Sequence, residues 1–145
     1  MAGSKTDLFE NELLKLVTGQ TPSASGPFSG YTPLTPWLAL FTTAPTDSSG
    51  GTECTGTSYA RINSTGYWGT PTGGVVTSNA DLLWPTAGSG GWSALAGWGL
   101  MTASTSGYLV YYSDLRDADG NVITPAVPSG SIFKILSGQA SITEL

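Results

Sequence analysis

From residue 37 onwards, clusters of Gly, Ser, Thr, Asn and Pro interrupt every apolar segment, and this interruption limits the fold more than any other feature. Glycine and proline end regular elements, and Ser, Thr and Asn favour turns, so a long helix is excluded there. Short apolar segments at this spacing are typical of the strands of a sandwich or barrel. The predicted strands are 37–43, 57–63, 74–78, 80–84, 93–102, 107–113, 121–124, 131–136 and 139–143. The pattern predicts an all-β fold, best described as a jelly-roll-like or Greek-key β-sandwich, with a small barrel as the alternative.

The N-terminal residues carry the one convincing helix signal. Asp7 can cap a helix, Glu10 follows it at the spacing of a capping box, and Gly19 marks a C-terminal stop. We predict a short amphipathic helix over residues 7–18. Its apolar stripe consists of Leu8, Phe9, Leu13, Leu14, Leu16 and Val17, and its polar side of Glu10, Asn11, Glu12 and Lys15. A helix of this length is marginal alone, so it must pack against its own sheet or a neighbour.

Prolines and glycines crowd the segment between residues 20 and 36. Proline is incompatible with a regular helix and with a central strand, so we predict an extended Pro-rich arm. The resulting division is an N-terminal helix and extended arm over residues 1–36 and a single β-sandwich domain over residues 37–145. A chain of 145 residues is long enough to bury a core in one domain.

The charge of the chain bears on its partners. It has 10 acidic and 5 basic residues, a net charge of −5, and no cluster of Lys and Arg. This balance argues against binding to nucleic acid or to an anionic membrane. The longest strongly apolar run, Trp37 to Phe41, is too short to span a bilayer. The N-terminus lacks the pattern of a secretory signal, so we expect a protein made in the host cytoplasm that leaves only within a larger assembly.

Histidine is absent from the chain. Its absence removes the usual general base near neutral pH and the commonest zinc ligand, so we predict no catalytic, cofactor-binding or metal site and no enzyme activity. The single cysteine, Cys54, cannot form an intramolecular disulfide. Because small polar residues flank it, we expect Cys54 to be exposed and its thiol to be incidental.

Two acidic stretches have features of sites but are better explained as turns. Residues 114–121 place three carboxylates near a glycine, as a calcium loop does, but Leu115 occupies a ligand position and we favour a hairpin turn. Asp47 and Glu53 are close enough in sequence to pair as acid and base. We favour instead a solvated loop in which Asp47 caps its own turn.

The aromatic residues suit either a core or a binding platform. Most of the 5 Trp residues are expected to be core or interface anchors, because an indole buries a large area. In the strand predicted over 107–113, Tyr108, Val110 and Tyr112 share one face, and we expect both faces to be covered. The alternative is a carbohydrate-stacking platform, so a carbohydrate-binding β-sandwich module stays open as a hypothesis.

Several segments resemble a family of small virion proteins of tailed bacteriophages. They are Leu38-Ala-Leu-Phe-Thr-Thr-Ala-Pro-Thr-Asp47, Gly51-Thr-Glu53, Ser58-Tyr-Ala-Arg61, Asp81-Leu-Leu-Trp-Pro85, Gly97-Trp-Gly-Leu100 and Ile132-Phe-Lys-Ile135-Leu-Ser-Gly138. Members of this family are described as head decoration (cement) proteins or as tail-fibre-like. The resemblance covers most of the chain and implies a non-enzymatic structural role in the virion.

Capsid decoration is the role that we favour from the sequence. A long fibre usually shows repeats and a shaft, whereas this chain is predicted to be one compact domain with an arm. We therefore expect a homo-oligomer that binds the major capsid protein on the outer head surface and stabilises the shell by mass action. The alternative is a tail, neck or tail-fibre accessory protein.

Six residues are candidates for the assembly interface. They are Leu13, Leu16 and Val17 in the N-terminal segment, Trp37 and Phe41 as buried supports, and Arg61 as the best polar candidate. A lone Arg in a charge-poor chain needs a carboxylate or backbone partner, and an internal ion pair explains Arg61 equally well.

Overall fold

The computed structural model describes Met1 and residues 3–144. The chain is mostly β, with 8% helix and 32% strand. The described residues form one helix, α1 (Asp7–Val17), followed by the strands β1 (Trp37–Thr43), β2 (Thr52–Glu53), β3 (Ile62–Asn63), β4 (Val75–Thr77), β5 (Leu82–Thr86), β6 (Gly97–Met101), β7 (Leu109–Asp114), β8 (Ile132–Ile135) and β9 (Ser141–Thr143). The prediction of an all-β fold with one short N-terminal helix is confirmed.

The predicted strands differ from the observed ones mainly in length and at two sites. The two-residue strand β2, which pairs with the end of β1, was not predicted, because its Gly-, Ser- and Thr-rich surroundings indicate a loop. The predicted strand 121–124 is absent, and Val122 makes only an isolated bridge to Arg116. Two backbone bonds make this bridge, from the Ile123 amide to the Leu115 carbonyl at 2.9 Å and from the Asp117 amide to the Asn121 carbonyl at 3.0 Å.

The chain forms two compact units. The N-terminal unit comprises Met1–Pro36, Ser64–Leu82 and Ile135–Leu145, and the central unit comprises Trp37–Asn63 and Leu83–Lys134. One boundary falls after Pro36, where the sequence also changes character. Residues 64–82 and those from Ile135 onwards are grouped with the N-terminal segment by their contacts. The division of the chain into 1–36 and 37–145 as domains stays a prediction.

The central unit is organised around strand β1. In its antiparallel sheet the strand order is β2-β1-β6-β7, and β3 also pairs with β1. Leu38 lies opposite Leu100, and Leu40 lies opposite Trp98. Consecutive residues of β1, from Leu38 to Phe41, are buried, so neither face of this strand is exposed to solvent. Strand β1 therefore has the continuous apolar character of a central strand.

Strand β7 shows the opposite behaviour, and the prediction that both of its faces are covered is wrong. Tyr108, Val110 and Tyr112 are 81%, 37% and 38% exposed, whereas Leu109 and Tyr111 between them are half-buried. In the described sheet β7 is an edge strand that pairs with β6. Alternation along a strand then leaves one row of side chains facing water.

The N-cap of helix α1 lies one residue earlier in the sequence than predicted. Thr6, not Asp7, is the N-cap, and its hydroxyl accepts a hydrogen bond from the amide three residues on. The predicted stop at Gly19 is confirmed, since Gly19 has a φ of +78°. The Gln20 amide donates to the Lys15 carbonyl at 2.8 Å, which closes the helix with a Schellman motif.

The faces of α1 differ from the predicted pattern. Leu14 and Val17 are buried as expected, but Leu8 is 60% exposed and Phe9 is 38% exposed. Glu12, which was assigned to the polar face, is 2% exposed. The α1 residues pack against β4, within the N-terminal unit.

Three hydrogen bonds explain how the Glu12 carboxylate can be buried. It accepts bonds from the Ser23 amide at 2.6 Å, from the Ser23 hydroxyl at 2.7 Å and from the Lys15 ammonium at 2.6 Å. These bonds, that of Lys15 first, lower the pKa of Glu12 from 4.5 to about 2. A buried charge is tolerated when it is paired and hydrogen-bonded in this way.

The predicted extended arm is instead a folded connector. Backbone bonds close consecutive turns from Ser23 to Gly26 at 3.0 Å and from Phe28 to Tyr31 at 3.0 Å. The Leu34 amide then donates to the Leu16 carbonyl at 2.9 Å, so the chain returns to the helix. Proline excludes helix and central strand, but it is also compatible with tight turns, and this segment forms turns.

We predict that Glu12→Gln destabilises the protein by about 1–3 kcal/mol at pH 7, because a charged acceptor of three hydrogen bonds is lost. Glu12 has a lowered pKa, so its contribution is complete above about pH 4.5 and is lost as the pH falls towards 2. Urea unfolding at a series of pH values should therefore show the difference between wild type and variant shrinking below pH 4.5. The exposed Asp119→Asn serves as the control. A difference that does not change with pH would contradict this explanation.

Candidate functional site

The six candidate residues fall into two groups. Leu13 and Leu16 are half-buried and Val17 is buried on α1, in the N-terminal unit. The other three lie in the central unit, where Trp37 and Arg61 line one cleft. No contact in the described structure tests an interface role for any of them, so that role stays a prediction.

Trp37 and Phe41 share a core cluster. Phe41 is 3% exposed and packs with Ala39 and Met101, and Trp37 packs against the same cluster while remaining half-buried. The two residues lie on the same strand with an even spacing, so they point to the same side of β1. Phe41 is thus part of the core, and Trp37 borders both the core and solvent.

Of the six candidate residues, Arg61 makes the most side-chain hydrogen bonds. Its Nε donates to Glu53 Oε1 at 2.8 Å and its Nη2 donates to Glu53 Oε2 at 2.7 Å, a two-pronged ion pair. Its Nη1 donates to the carbonyls of Ala103 at 2.7 Å and Ser106 at 2.6 Å. The carboxylate and backbone partners that a lone Arg needs are therefore both present. The Glu53 hydrogen bond raises the pKa of Arg61.

Tyr59 fixes the position of Glu53. The Tyr59 hydroxyl donates to Glu53 Oε1 at 3.0 Å and accepts from the Leu40 amide at 2.9 Å. Burial raises the pKa of Tyr59, which keeps the phenol protonated and able to donate. Glu53 also lies opposite Phe41 in the β1–β2 pair. The position of its carboxylate is therefore fixed both by the strand register and by side-chain hydrogen bonds.

A cleft of about 500 Å³ opens beside this ion pair. We call it the Trp37 cleft. Its walls are Trp37, Glu53, Tyr59, Ala60, Arg61, Ser104, Thr105 and Ser106. Positive φ angles at Ser106 (55°) and Gly107 (74°) turn the loop that contributes the hydroxyl residues, and Arg61 donates hydrogen bonds to the carbonyls of Ala103 and Ser106 in this loop.

A second cleft, of about 390 Å³, lies beside the outward face of β7. Residues 46–50, Leu109, Val110 and Tyr112 line it, and we call it the Asp47 cleft. The Tyr112 hydroxyl donates to Asp47, and this bond raises the pKa of Tyr112. Asp47 does not cap its own turn as predicted, since the turn is closed by backbone bonds between Thr46 and Ser49. Its carboxylate is instead bonded to a residue far along the chain.

The acidic stretch at 114–121 forms the hairpin turn that was favoured over a calcium loop. Asp117 Oδ1 accepts hydrogen bonds from the amides of Asp119 at 3.0 Å and Asn121 at 2.9 Å. Gly120 has a φ of +84°, as a tight connection requires. The Asn121 amide bond lowers the pKa of Asp117. Over Met1 and residues 3–144, no group of three or more His, Cys, Asp and Glu side chains is placed to hold a metal ion.

Cys54 is buried, so the prediction of an exposed thiol is wrong. It is 2% exposed, and its amide donates to the Leu40 carbonyl at 2.9 Å. Burial raises the pKa of the thiol, which reduces its reactivity. The polar neighbours of Cys54 in sequence do not predict its burial, because Cys54 directly follows β2 and the pairing of β2 with β1 places it against the central strand.

The prediction that most Trp residues are anchors is confirmed. Trp68, Trp84, Trp92 and Trp98 are each at most 5% exposed. The indole of Trp92 donates to the Thr57 carbonyl at 3.0 Å, which satisfies its polar atom inside the central unit. Trp37 is the remaining indole, and it is half-buried.

An exposed apolar surface on the N-terminal unit was missed from sequence. The ring centroids of Phe9 and Phe28 are 5.1 Å apart, and those of Phe28 and Tyr31 are 5.9 Å apart. Leu8 and Tyr31 are 60% and 64% exposed. We call Leu8, Phe9, Phe28 and Tyr31 the N-terminal apolar patch. Leu8 and Phe9, at the start of the predicted apolar stripe, were the sequence signal for this patch. The prediction placed them on the face of α1 that packs against the rest of the protein.

A family model described as Podophage GP4 fiber I protein gp80 matches residues 4–143. The chain belongs to the gp80 family. This family is a phage virion structural family, so the chain is a structural protein of the bacteriophage virion. The gp80 match includes both units and extends well beyond the segments that carried the resemblance in sequence. No curated protein matches the chain. In the described part of this gp80 family member, no helix has the length and apolar character needed to cross a bilayer.

We predict that Arg61→Ala lowers the free energy of unfolding by about 2–4 kcal/mol, because Glu53 and two carbonyls lose a buried charged partner. Arg61→Lys keeps the charge but not the two-pronged geometry, so its loss should be intermediate. The matched control is Arg116→Ala, whose side chain is 53% exposed in its ion pair and should change stability by less than about 1 kcal/mol. Urea unfolding measures all three. Equal losses for Arg61→Ala and Arg116→Ala would contradict a structural role for Arg61.

Proposed function

We propose that this protein is a non-enzymatic structural subunit of a fibre on a podophage particle, where it acts through repeated contacts with copies of itself and other virion proteins. The observation that carries this proposal is the family match over residues 4–143, whose description names a fibre. We therefore place the fibre role ahead of capsid decoration, which the sequence alone favoured.

The roles of the acidic side chains support a non-enzymatic function. Glu12, Glu53 and Asp117 are each held by hydrogen bonds that fix a helix, a sheet or a turn. Side chains used in this way stabilise local structure and are poorly suited to move protons during a reaction. The chain also has no histidine to serve as the base.

Head decoration, in which the protein binds the major capsid protein on the outer head surface, is the second candidate. It is favoured by the two compact units, which account for the whole described chain without a repetitive shaft. The segment predicted as an extended arm is a folded connector, so it does not favour decoration. Either role stabilises an assembly by mass action through many weak contacts.

The exposed apolar surfaces are the best candidates for those contacts. The N-terminal apolar patch and the outward face of β7 both expose large side chains that a solitary subunit would be expected to bury. Leu13, Leu16 and Val17 lie deeper on α1 than Leu8 and Phe9. We therefore assign the direct contacts to Leu8 and Phe9 and a supporting role to the deeper residues.

The copy number of this protein in purified particles tests the choice between the two roles. Quantitative mass spectrometry should find far fewer copies than of the major capsid protein, because a fibre is attached at few positions. A ratio near one, or a simple large fraction of it, would contradict the fibre proposal and favour decoration of the head lattice. Absence from the particles would reject both roles.

We predict that Leu8→Ser with Phe9→Ser lowers incorporation into particles by about tenfold or more, since central apolar contacts dominate binding energy. The matched control is Leu136→Ser, which changes a leucine that is 49% exposed in the same unit. Incorporation is measured on particles grown with each variant as the sole source, after confirming that the soluble variants keep the wild-type melting temperature. Full incorporation of the double variant, or equal loss with Leu136→Ser, would exclude the patch as a contact.

A further inference from the structure

We propose that the Trp37 cleft binds a neutral oligosaccharide. This inference does not depend on whether the protein belongs to a fibre or to the head. It is carried by three features of the central unit, namely a half-buried indole, a fixed pair of opposite charges and a row of exposed hydroxyl side chains.

The indole provides the apolar wall. Trp37 packs against the core cluster of Ala39, Phe41 and Met101, which fixes the ring, and it also borders the cleft. The other four Trp residues are buried and are not available to a ligand. A sugar ring presents C–H groups on one face, and these pack favourably against an exposed aromatic ring.

The Glu53–Arg61 pair provides directional bonding next to this wall. A carboxylate has roughly four lone-pair sites and a guanidinium has five N–H donors. Glu53 accepts three hydrogen bonds, one from Tyr59 and two from Arg61, and Arg61 donates four. Among the hydrogen bonds of the described residues, one acceptor site of Glu53 and one N–H of Arg61 are thus unused, and both side chains line the cleft. Adjacent hydroxyl groups of a sugar match such a neighbouring donor and acceptor.

The charge and size of the cleft favour a neutral sugar. Glu53 and Arg61 compensate each other, so the cleft attracts neither an anion nor a cation strongly. Its volume of about 500 Å³ is within the usual range of small-ligand sites and has room for a short oligosaccharide. Ser104, Thr105 and Ser106 are exposed and add hydroxyl groups along the rim. Because Arg61 anchors this loop, little ordering is needed on binding.

A printed array of neutral and anionic glycans, probed with the full-length protein, tests the proposal. We expect binding to neutral glycans that falls about tenfold or more in Trp37→Ala. Tyr112→Ala is the matched control, since it removes a half-exposed aromatic ring from the Asp47 cleft of the same unit. Its binding should equal that of the wild type. No neutral glycan bound by the wild type, or loss in Tyr112→Ala instead of Trp37→Ala, would overturn the proposal.

Trp37 also contacts the core, so a second set of variants separates binding from folding. Trp37→Phe keeps an apolar ring on the cluster, and Ser104→Ala with Thr105→Val removes hydroxyl groups from an exposed loop. Ser104→Ala with Thr105→Val should keep the wild-type melting temperature, and Trp37→Phe should lower it but still unfold cooperatively well above the assay temperature. Both should weaken the affinity for the best glycan of the array several-fold in isothermal titration calorimetry. Unchanged affinity in both variants would place the sugar elsewhere and overturn the assignment.

Discussion

The pairing of β1 with three other strands is the constraint on which the central unit depends. Strand β1 is hydrogen-bonded to β2, β3 and β6, of which β2 follows it closely in sequence and β6 lies much further along the chain. With Leu38 and Leu40 fully buried, the strand supplies both the backbone ladder and the apolar core. This placement positions other parts of the unit, since β2 brings Glu53 and Cys54 onto β1, and β6 brings β7 to the sheet edge.

Buried charges do in this chain what disulfides do in other small β proteins. The Glu12 carboxylate joins the helix to the connector through Ser23, and Arg61 joins Glu53 to the 103–106 loop. Each pair links segments that are remote or irregular, and each is satisfied by several hydrogen bonds. Removing one member of such a pair leaves the other unsatisfied, so these charges specify the local conformation as much as they stabilise it.

The sequence predicted those features that depend on local patterns. The helix, its stop at Gly19 and the hairpin turn at Asp117 all follow from short-range chemistry, and they are present. The errors arise where a residue outside the local sequence pattern decides the outcome. Cys54 has polar neighbours but lies next to Leu40, and Glu12 is buried because Ser23 folds back to it. In the candidate site, Arg61 could be identified from the sequence because a lone guanidinium needs partners. The 103–106 loop that supplies two of these partners could not be identified in this way.

The distribution of exposed side chains explains why a protein with so few charges suits an assembly. Only 10% of the residues are charged, and several of those charges are used inside the units. The surface instead presents tyrosines and aliphatic residues, with Tyr108 and Tyr31 exposed to 81% and 64%. Tyrosine gives a large contact area at a low cost in conformational entropy, and its hydroxyl tolerates water when the contact is open. Under the proposed assembly role, covering such a surface costs little polar solvation.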